Sequence, residues 1–308
     1  MGPGPWRASL SRQGLKVTSA ARLPLELWGR RLLARLQTAA DRSQFGRWAF
    51  EFLMFGLKQG WACLFGGVML ALLLGTAAFW PKGAALARYD ALALAALGIQ
   101  AAMLAFRLES LAEARVIFLF HVIGTAMEIY KTSIGSWIYP EPSLLRIAGV
   151  PLFSGFMYAS VGSYIARIMR IFDIRFTAYP PKWATWCLAI GIYANFYLNH
   201  VLPDARLLLF AATGLIFWRS WFWFTPDRRQ RGMPVLLGFA LVASFICLAE
   251  NIGTWSRAWI YPSQAHGWTP VAPAKLGSWY LLIIISWVLV SLVIRPETRA
   301  RLAVQPAQ

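Results

Sequence analysis

Residues 128–140 read EIYKTSIGSWIYP, and residues 250–262 read ENIGTWSRAWIYP. The two stretches lie 122 positions apart and align without a gap: Glu128, Thr132, Trp137, Ile138, Tyr139 and Pro140 recur as Glu250, Thr254, Trp259, Ile260, Tyr261 and Pro262. The match runs on through Pro151, Gly155 and Tyr158 to Pro273, Gly277 and Tyr280. Nine identities over this overlap, where composition alone gives roughly two, point to a duplicated unit. Each copy carries one carboxylate inside an apolar segment. A charge there is costly enough to mark a functional candidate by default.

The rest of the chain supplies the apolar context. Of 308 residues, 58% are hydrophobic and 14% charged, with 16 Trp and 20 Phe, which is far from soluble composition. Apolar runs of about 20 residues, the length that crosses a bilayer core, fall near 57–80, 89–107, 116–138, 149–169, 183–202, 205–224, 234–255 and 275–294. The expected fold is an all-α membrane protein of about eight transmembrane helices, arranged as two parallel four-helix repeats with an offset of 122 residues. Glu128 is on the third span and Glu250 on the seventh, and an even separation gives both copies the same direction.

Charge sets the orientation. The net charge is +17, but its placement argues for a membrane rather than nucleic acid. Of the Lys and Arg residues, 21 fall on one side: the N-terminal arm from Arg7 to Arg47, Arg107 and Arg115, the loop from Arg167 to Lys182, the loop from Arg228 to Arg231, and Arg295 to Arg301. The alternate loops hold six: Lys82, Arg88, Arg146, Arg206, Arg257 and Lys275. By the positive-inside rule both termini are expected in the cytoplasm of a bacterial plasma (inner) membrane. No apolar signal-peptide core stands in the first twenty residues.

Five segments follow from composition: a disordered basic arm at 1–23, a basic amphipathic surface helix and linker at 24–54, a first transmembrane repeat at 55–180, a second at 181–296, and a cytoplasmic tail at 297–308. In the second of these, Leu25, Leu27, Trp28, Leu32 and Leu36 are spaced around Arg30, Arg31 and Arg35. That pattern fits a helix on an anionic lipid surface or a partner-binding helix.

The expected site gathers where polar groups share one depth. His121, Thr125, Glu128 and Thr132 stack on one helical face, and Lys131 is spaced to reach Glu128 within the helix. Glu250 has Asn251 and Thr254 beside it but Gly253 where Lys131 stood. Glu128 and Glu250 are the candidate general acids, with Lys131 and His121 as partners. The candidate binding residues are Thr132, Thr254, Asn251, Trp137, Tyr139, Trp259, Tyr261, Tyr158, Tyr280, Asn199 and His200. The plainer reading makes the Trp and Tyr residues an interfacial belt and Glu128 with Lys131 a structural ion pair.

Cys63, Cys187 and Cys247 have no paired spacing, so neither a disulfide framework nor a zinc site is indicated. No metal site is expected, and the sequence names no cofactor. Walker, H-E-x-x-H and G-x-S-x-G motifs are missing, so nucleotide hydrolysis, zinc proteolysis and serine hydrolysis have no support.

The strings FGLKQGWACLFGG (55–67), GTAMEIYKTSIGSWIYPE (124–141), GVPLFSGFMYASVGSYIAR (149–167) and LAENIGTWSRAWIYP (248–262) resemble the YoaT-like family of bacterial integral membrane proteins, a domain of unknown function. The resemblance runs from about Gly56 to Val293. It implies a helical plasma-membrane protein and supplies no mechanism. The run of a Glu in a span, a W-x-Y end and a following G-V-P also looks like membrane carotenoid hydratases and lycopene cyclases, whose acidic residues protonate isoprenoid double bonds. In that likeness Glu128 and Glu250 are the analogues, with different spacing and without the cyclases' paired carboxylates. Three functions stay open: a lipid- or isoprenoid-binding or modifying protein, a small-solute or proton-coupled transporter, and a membrane scaffold. The expected partners are the bilayer and, in the first two cases, a lipid, isoprenoid or small solute; nucleic acid is not expected, and oligomeric state is open.

Overall fold

A capping box starts the helix that carries Glu128. Ser110 accepts the Glu113 amide at 3.2 Å while the Glu113 carboxylate accepts the Ser110 amide at 2.7 Å, which satisfies two of the free donors of a helix N-terminus. The helix runs Leu111–Ser133 and ends before Gly135, whose φ is +70°. A short hairpin, Arg146–Ile147 paired with Val150–Pro151, turns through Ala148 and Gly149, both at positive φ. The helix Phe153–Ile171 follows and packs closely on the first. Gly155 allows that approach, because a Cβ there would collide with His121 and Thr125.

The computed structural model describes residues 24–81, 83–294 and 297–298. The 1–23 arm and most of the 297–308 tail, with both termini, lie outside them. In chain order the helices are α1 Pro24–Ala40, α2 Gln44–Ala62, α3 Leu64–Phe79, α4 Arg88–Ala105, α5 Leu111–Ser133, α6 Phe153–Ile171, α7 Lys182–Leu198, α8 Arg206–Phe217, α9 Val235–Trp255 and α10 Ala274–Val293. The hairpin strands are β1 and β2. The other strands are β3 Arg175–Thr177, β4 Trp221–Phe224, β5 Arg231–Pro234 and β6 Glu297–Thr298.

The chain divides into two units, Met1–Leu53 and Met54–Gln308. In the first, Trp48 stacks on Phe52 with ring centroids 5.8 Å apart, and both side chains are exposed. In the second, α6, α7, α9 and α10 share a core with the small sheet, where Phe176 meets Trp287 edge to face at 5.1 Å. Edge-to-face pairs of this kind contribute about 0.5–1.5 kcal/mol each beyond their area burial.

Two helix pairs, α5 with α9 and α6 with α10, keep the 122-residue offset at their ends. Shifted by 122, α6 would run 275–293 against the observed Ala274–Val293, and α5 would run 233–255 against Val235–Trp255.

Length and composition support fewer spans than expected, and the structure corrects two further expectations. Two helices, α9 and α10, are long and apolar enough to cross a membrane, or three spans if α2 and α3, which meet at 69° across Cys63, count as one. Eight such helices are not found among the described residues. The expected span 205–224 stops at Phe217, and Trp221–Phe224 forms β4. An aromatic run is strand-like in composition, and a hydropathy window does not distinguish it from helix. The chain is therefore mostly helical rather than all-α: β1–β2 form one sheet, and β5-β4-β3-β6 form another in which β3 is antiparallel to β4 and parallel to β6.

The outward faces are apolar. Leu237, Leu241, Phe245 and Leu248 make an exposed stripe along α9, and Leu207, Leu208 and Leu215 do the same on α8. Exposed apolar stripes of this kind mark a surface for lipid or for another protein.

A candidate two-carboxylate site

The two W-I-Y-P segments meet. Ile138 and Ile260 exchange both backbone hydrogen bonds, each at 3.0 Å, as an antiparallel pair. That pairing brings the C-terminal ends of α5 and α9 together and sets the rings of each segment over the carboxylates.

Glu128 is 4% exposed. Its Oε2 accepts from Trp137 Nε1 at 2.7 Å and from the Tyr139 hydroxyl at 2.6 Å, and its Oε1 accepts from the Tyr158 hydroxyl at 2.7 Å. Glu250 is also 4% exposed. It accepts from the Tyr261 hydroxyl and from Trp279 Nε1, the latter at 2.6 Å. Both carboxylates are thus solvated by neutral aromatic donors in place of water, which is how a buried acidic group avoids an unmet desolvation cost. Burial pushes the Tyr139 and Tyr261 phenols well above their ordinary value, so these two hydroxyls keep the protons they donate.

The copies share the Tyr139 and Tyr261 contacts and differ elsewhere. In the first, Trp137 reaches the carboxylate. In the second, Trp259 instead sits against Gly253, where a Cβ would run into its ring, and Trp279 donates in its stead. Position 157, which the offset pairs with Trp279, is Met157. Tyr158 binds Glu128, whereas its counterpart Tyr280 packs on Phe210 at 6.0 Å. The Tyr158 and Trp279 rings lie 6.4 Å apart, and Trp137 meets Tyr261 edge to face at 6.0 Å. The two carboxylate clusters are therefore contiguous.

Several expected partners do other work. Lys131 does not turn to Glu128: its ammonium lies 2.8 Å from His200 Nε2 and 4.3 Å from the Phe196 ring centroid. Spacing on a helix allowed the ion pair, but the aromatic donors already fill the carboxylate, and α7 and the turn after it offer the lysine its own partners. Thr132 bonds back to the Glu128 carbonyl at 2.7 Å. Asn251 holds the Val271 amide at 2.9 Å and Thr254 accepts from Trp268 at 3.1 Å, so both fasten the loop after Tyr261. His121 stacks near Phe156 at 4.3 Å, and its Nδ1 is buried without a hydrogen-bond partner, as are Thr125 Oγ1 and Asn199 Oδ1.

Sequence reasoning missed four residues. Trp279 and Lys275 complete the cluster, and the Lys275 ammonium sits 4.1 Å from the Tyr261 ring centroid and 5.3 Å from that of Trp137. Buried Arg88 ties Glu141 to the Ser256 carbonyl, and Asp90 caps the amides of Leu144 and Leu145. No spacing signal marked any of them.

Beside the rings lies a narrow apolar cleft with a cavity volume of about 30 Å³. Phe120, Ile123, Met127, Ile246 and Leu282 line it from α5, α9 and α10. Tyr158 and Trp279 stand at the end nearest the paired W-I-Y-P segments.

The family model described as "Protein of unknown function (DUF817)" matches residues 51–287. The chain belongs to that family. The "Uncharacterized protein YoaT" of Bacillus subtilis (strain 168) is 39% identical over 245 residues, covering 78% of this chain and 90% of its own. Among solved structures, a crystal structure of a cross-linked MvINS trimer is 15% identical and covers 61% of this chain and 98% of its own. Its TM-score is 0.43. The DUF817 match spans both W-I-Y-P segments and every donor to Glu128 and Glu250.

Proposed function

We propose that this DUF817 protein is a multi-pass plasma-membrane protein that binds a lipid or isoprenoid chain between two parallel four-helix repeats, with both termini cytoplasmic. The cleft between α5, α6, α9 and α10 carries the reading. Its lining is almost wholly hydrocarbon, and the polar atoms at its end, the Tyr158 hydroxyl and Trp279 Nε1, are already engaged by Glu128 and Glu250. A site of that composition favours an apolar chain over a hydrated solute.

The repeat reading draws support from the matched ends of α5 with α9 and of α6 with α10, and from the reciprocal Ile138–Ile260 pair, which is what a two-fold relation between copies produces. The apolar stripes on α8 and α9 suit lipid contact. Glu128 and Glu250 act in this reading as anchors that hold the aromatic roof of the cleft. Binding is preferred to turnover because each carboxylate already accepts from neutral donors.

The test is the lipid content of the full chain purified in mild detergent, read by mass spectrometry. Ile246→Trp and Met127→Trp fill the cleft and are expected to lower bound lipid while the protein remains folded. Equal lipid content in wild type and both variants would overturn the reading.

A further inference from the structure

We propose that the corner formed by the Trp137 and Tyr261 rings is a binding site for an organic ammonium group, and that the chain's own Lys275 occupies it in this state. Taken with the cleft reading above, on which this extension rests, the favoured lipid is one with an ammonium headgroup.

The geometry is that of an aromatic cage. Lys275 Nζ lies 4.1 Å from the Tyr261 centroid and 5.3 Å from that of Trp137, and the two rings stand at 81° to each other. Each ring donates to a carboxylate, Trp137 to Glu128 and Tyr261 to Glu250. Donation to an anion polarises the ring toward its face and strengthens its hold on a cation. Among the described residues the Lys275 ammonium has ring faces for neighbours and no hydrogen-bond acceptor. A primary ammonium carries three donors, so the cage serves a group that needs none, such as a quaternary ammonium, at least as well.

Charge alone does not select the ligand: Lys275 is within electrostatic reach of Glu250, Arg206 and Glu128, so the ring faces, not a surplus of carboxylates, single out this position. Nor does the fold require a lysine there: the offset pairs position 275 with Phe153, which is fully buried. Trp279, one helical turn after Lys275, lines the cleft. A headgroup in the cage would therefore continue directly into the apolar space.

The probe is tetramethylammonium chloride, titrated into the full chain in detergent and read by tryptophan fluorescence and thermal shift, with sodium chloride as the control for ionic strength. Lys275→Ala vacates the cage and is expected to bind the probe at least about tenfold more tightly than wild type, in line with a desolvated cation–aromatic contact. Lys275→Ser gives the same test where the alanine variant does not fold. Adding Tyr261→Leu removes one wall and must abolish the gain. Variants that bind no better than wild type, or a probe no more effective than sodium, would overturn the proposal. Ammonium binding in Lys275→Ala together with unchanged lipid content in the cleft-filled variants would leave the cage standing and sink the cleft reading; bound lipid without ammonium binding would do the reverse.

Discussion

Replacing Glu128 with Gln and with Leu separates the charge of the carboxylate from its shape. In wild type, Oε2 meets Trp137 and Tyr139 and Oε1 meets Tyr158. An indole N–H only donates, so the Gln amide nitrogen must face Tyr158, whose hydroxyl can rotate and accept. All three contacts then survive, so at about 1 kcal/mol or less lost per bond Glu128→Gln costs at most roughly 3 kcal/mol. Glu128→Leu leaves three buried donors unmet at about 1–3 kcal/mol each, or roughly 5 kcal/mol. Glu250 has two such donors, so Glu250→Leu costs less than Glu128→Leu. Thermal unfolding in detergent, followed by tryptophan fluorescence, orders the series as wild type, Glu128→Gln, Glu128→Leu. A leucine variant as stable as the glutamine one would show that the donors do not depend on the carboxylate.

Three further outcomes follow from the same contacts. Gly253→Ala is expected to destabilise by about 1–2 kcal/mol, because the added methyl meets the Trp259 ring, and most of that loss should vanish in a Trp259→Ala background when both are unfolded side by side. Lys131→Met should leave the fluorescence of the Glu128 cluster unchanged, since its ammonium pairs with His200; a change as large as that of Glu128→Gln would restore the in-helix ion pair. Partial burial works to raise Asp204, yet bonds from Arg206 and Asn195 prevail and hold it below its ordinary value. A lowered carboxylate contributes stability above its unfolded pKa of about 3.9 and loses it as pH falls through the lower folded value, so acid unfolding between roughly pH 5 and pH 3 should be less steep in Asp204→Asn than in wild type.

The core of the site was legible in the sequence because it is written along the helix. Glu128, Glu250 and the two W-I-Y-P runs stand at fixed spacing, and a carboxylate in an apolar segment calls for donors from its surroundings. Tyr139, Tyr261, Trp137 and Tyr158 supply them. What stayed hidden depends on where side chains turn in three dimensions. Lys131 had two possible directions, and residues on α7 and the turn after it decided between them. Trp279 took over a bond that the offset assigned to Trp259, because Gly253 gave Trp259 room to sit against it. The fold divides in the same way. Helix α10 was plain from its apolar run, but the 69° break at Cys63 and the strand at Trp221–Phe224 are carried by residues that a hydropathy window counts like any others.

The main-chain closures at both ends of the bundle decide how the cleft is reached. At one end Ile138 and Ile260 are joined by two backbone bonds; at the other, where α6 and α10 finish and α9 begins, β3, β4, β5 and β6 are laced into one sheet. Backbone bonds are indifferent to side-chain identity, so neither end opens by a change of rotamer. In the proposed lipid-binding reading, a ligand would enter the cleft sideways, between helices, and a molecule already dissolved in lipid would have the shortest way in.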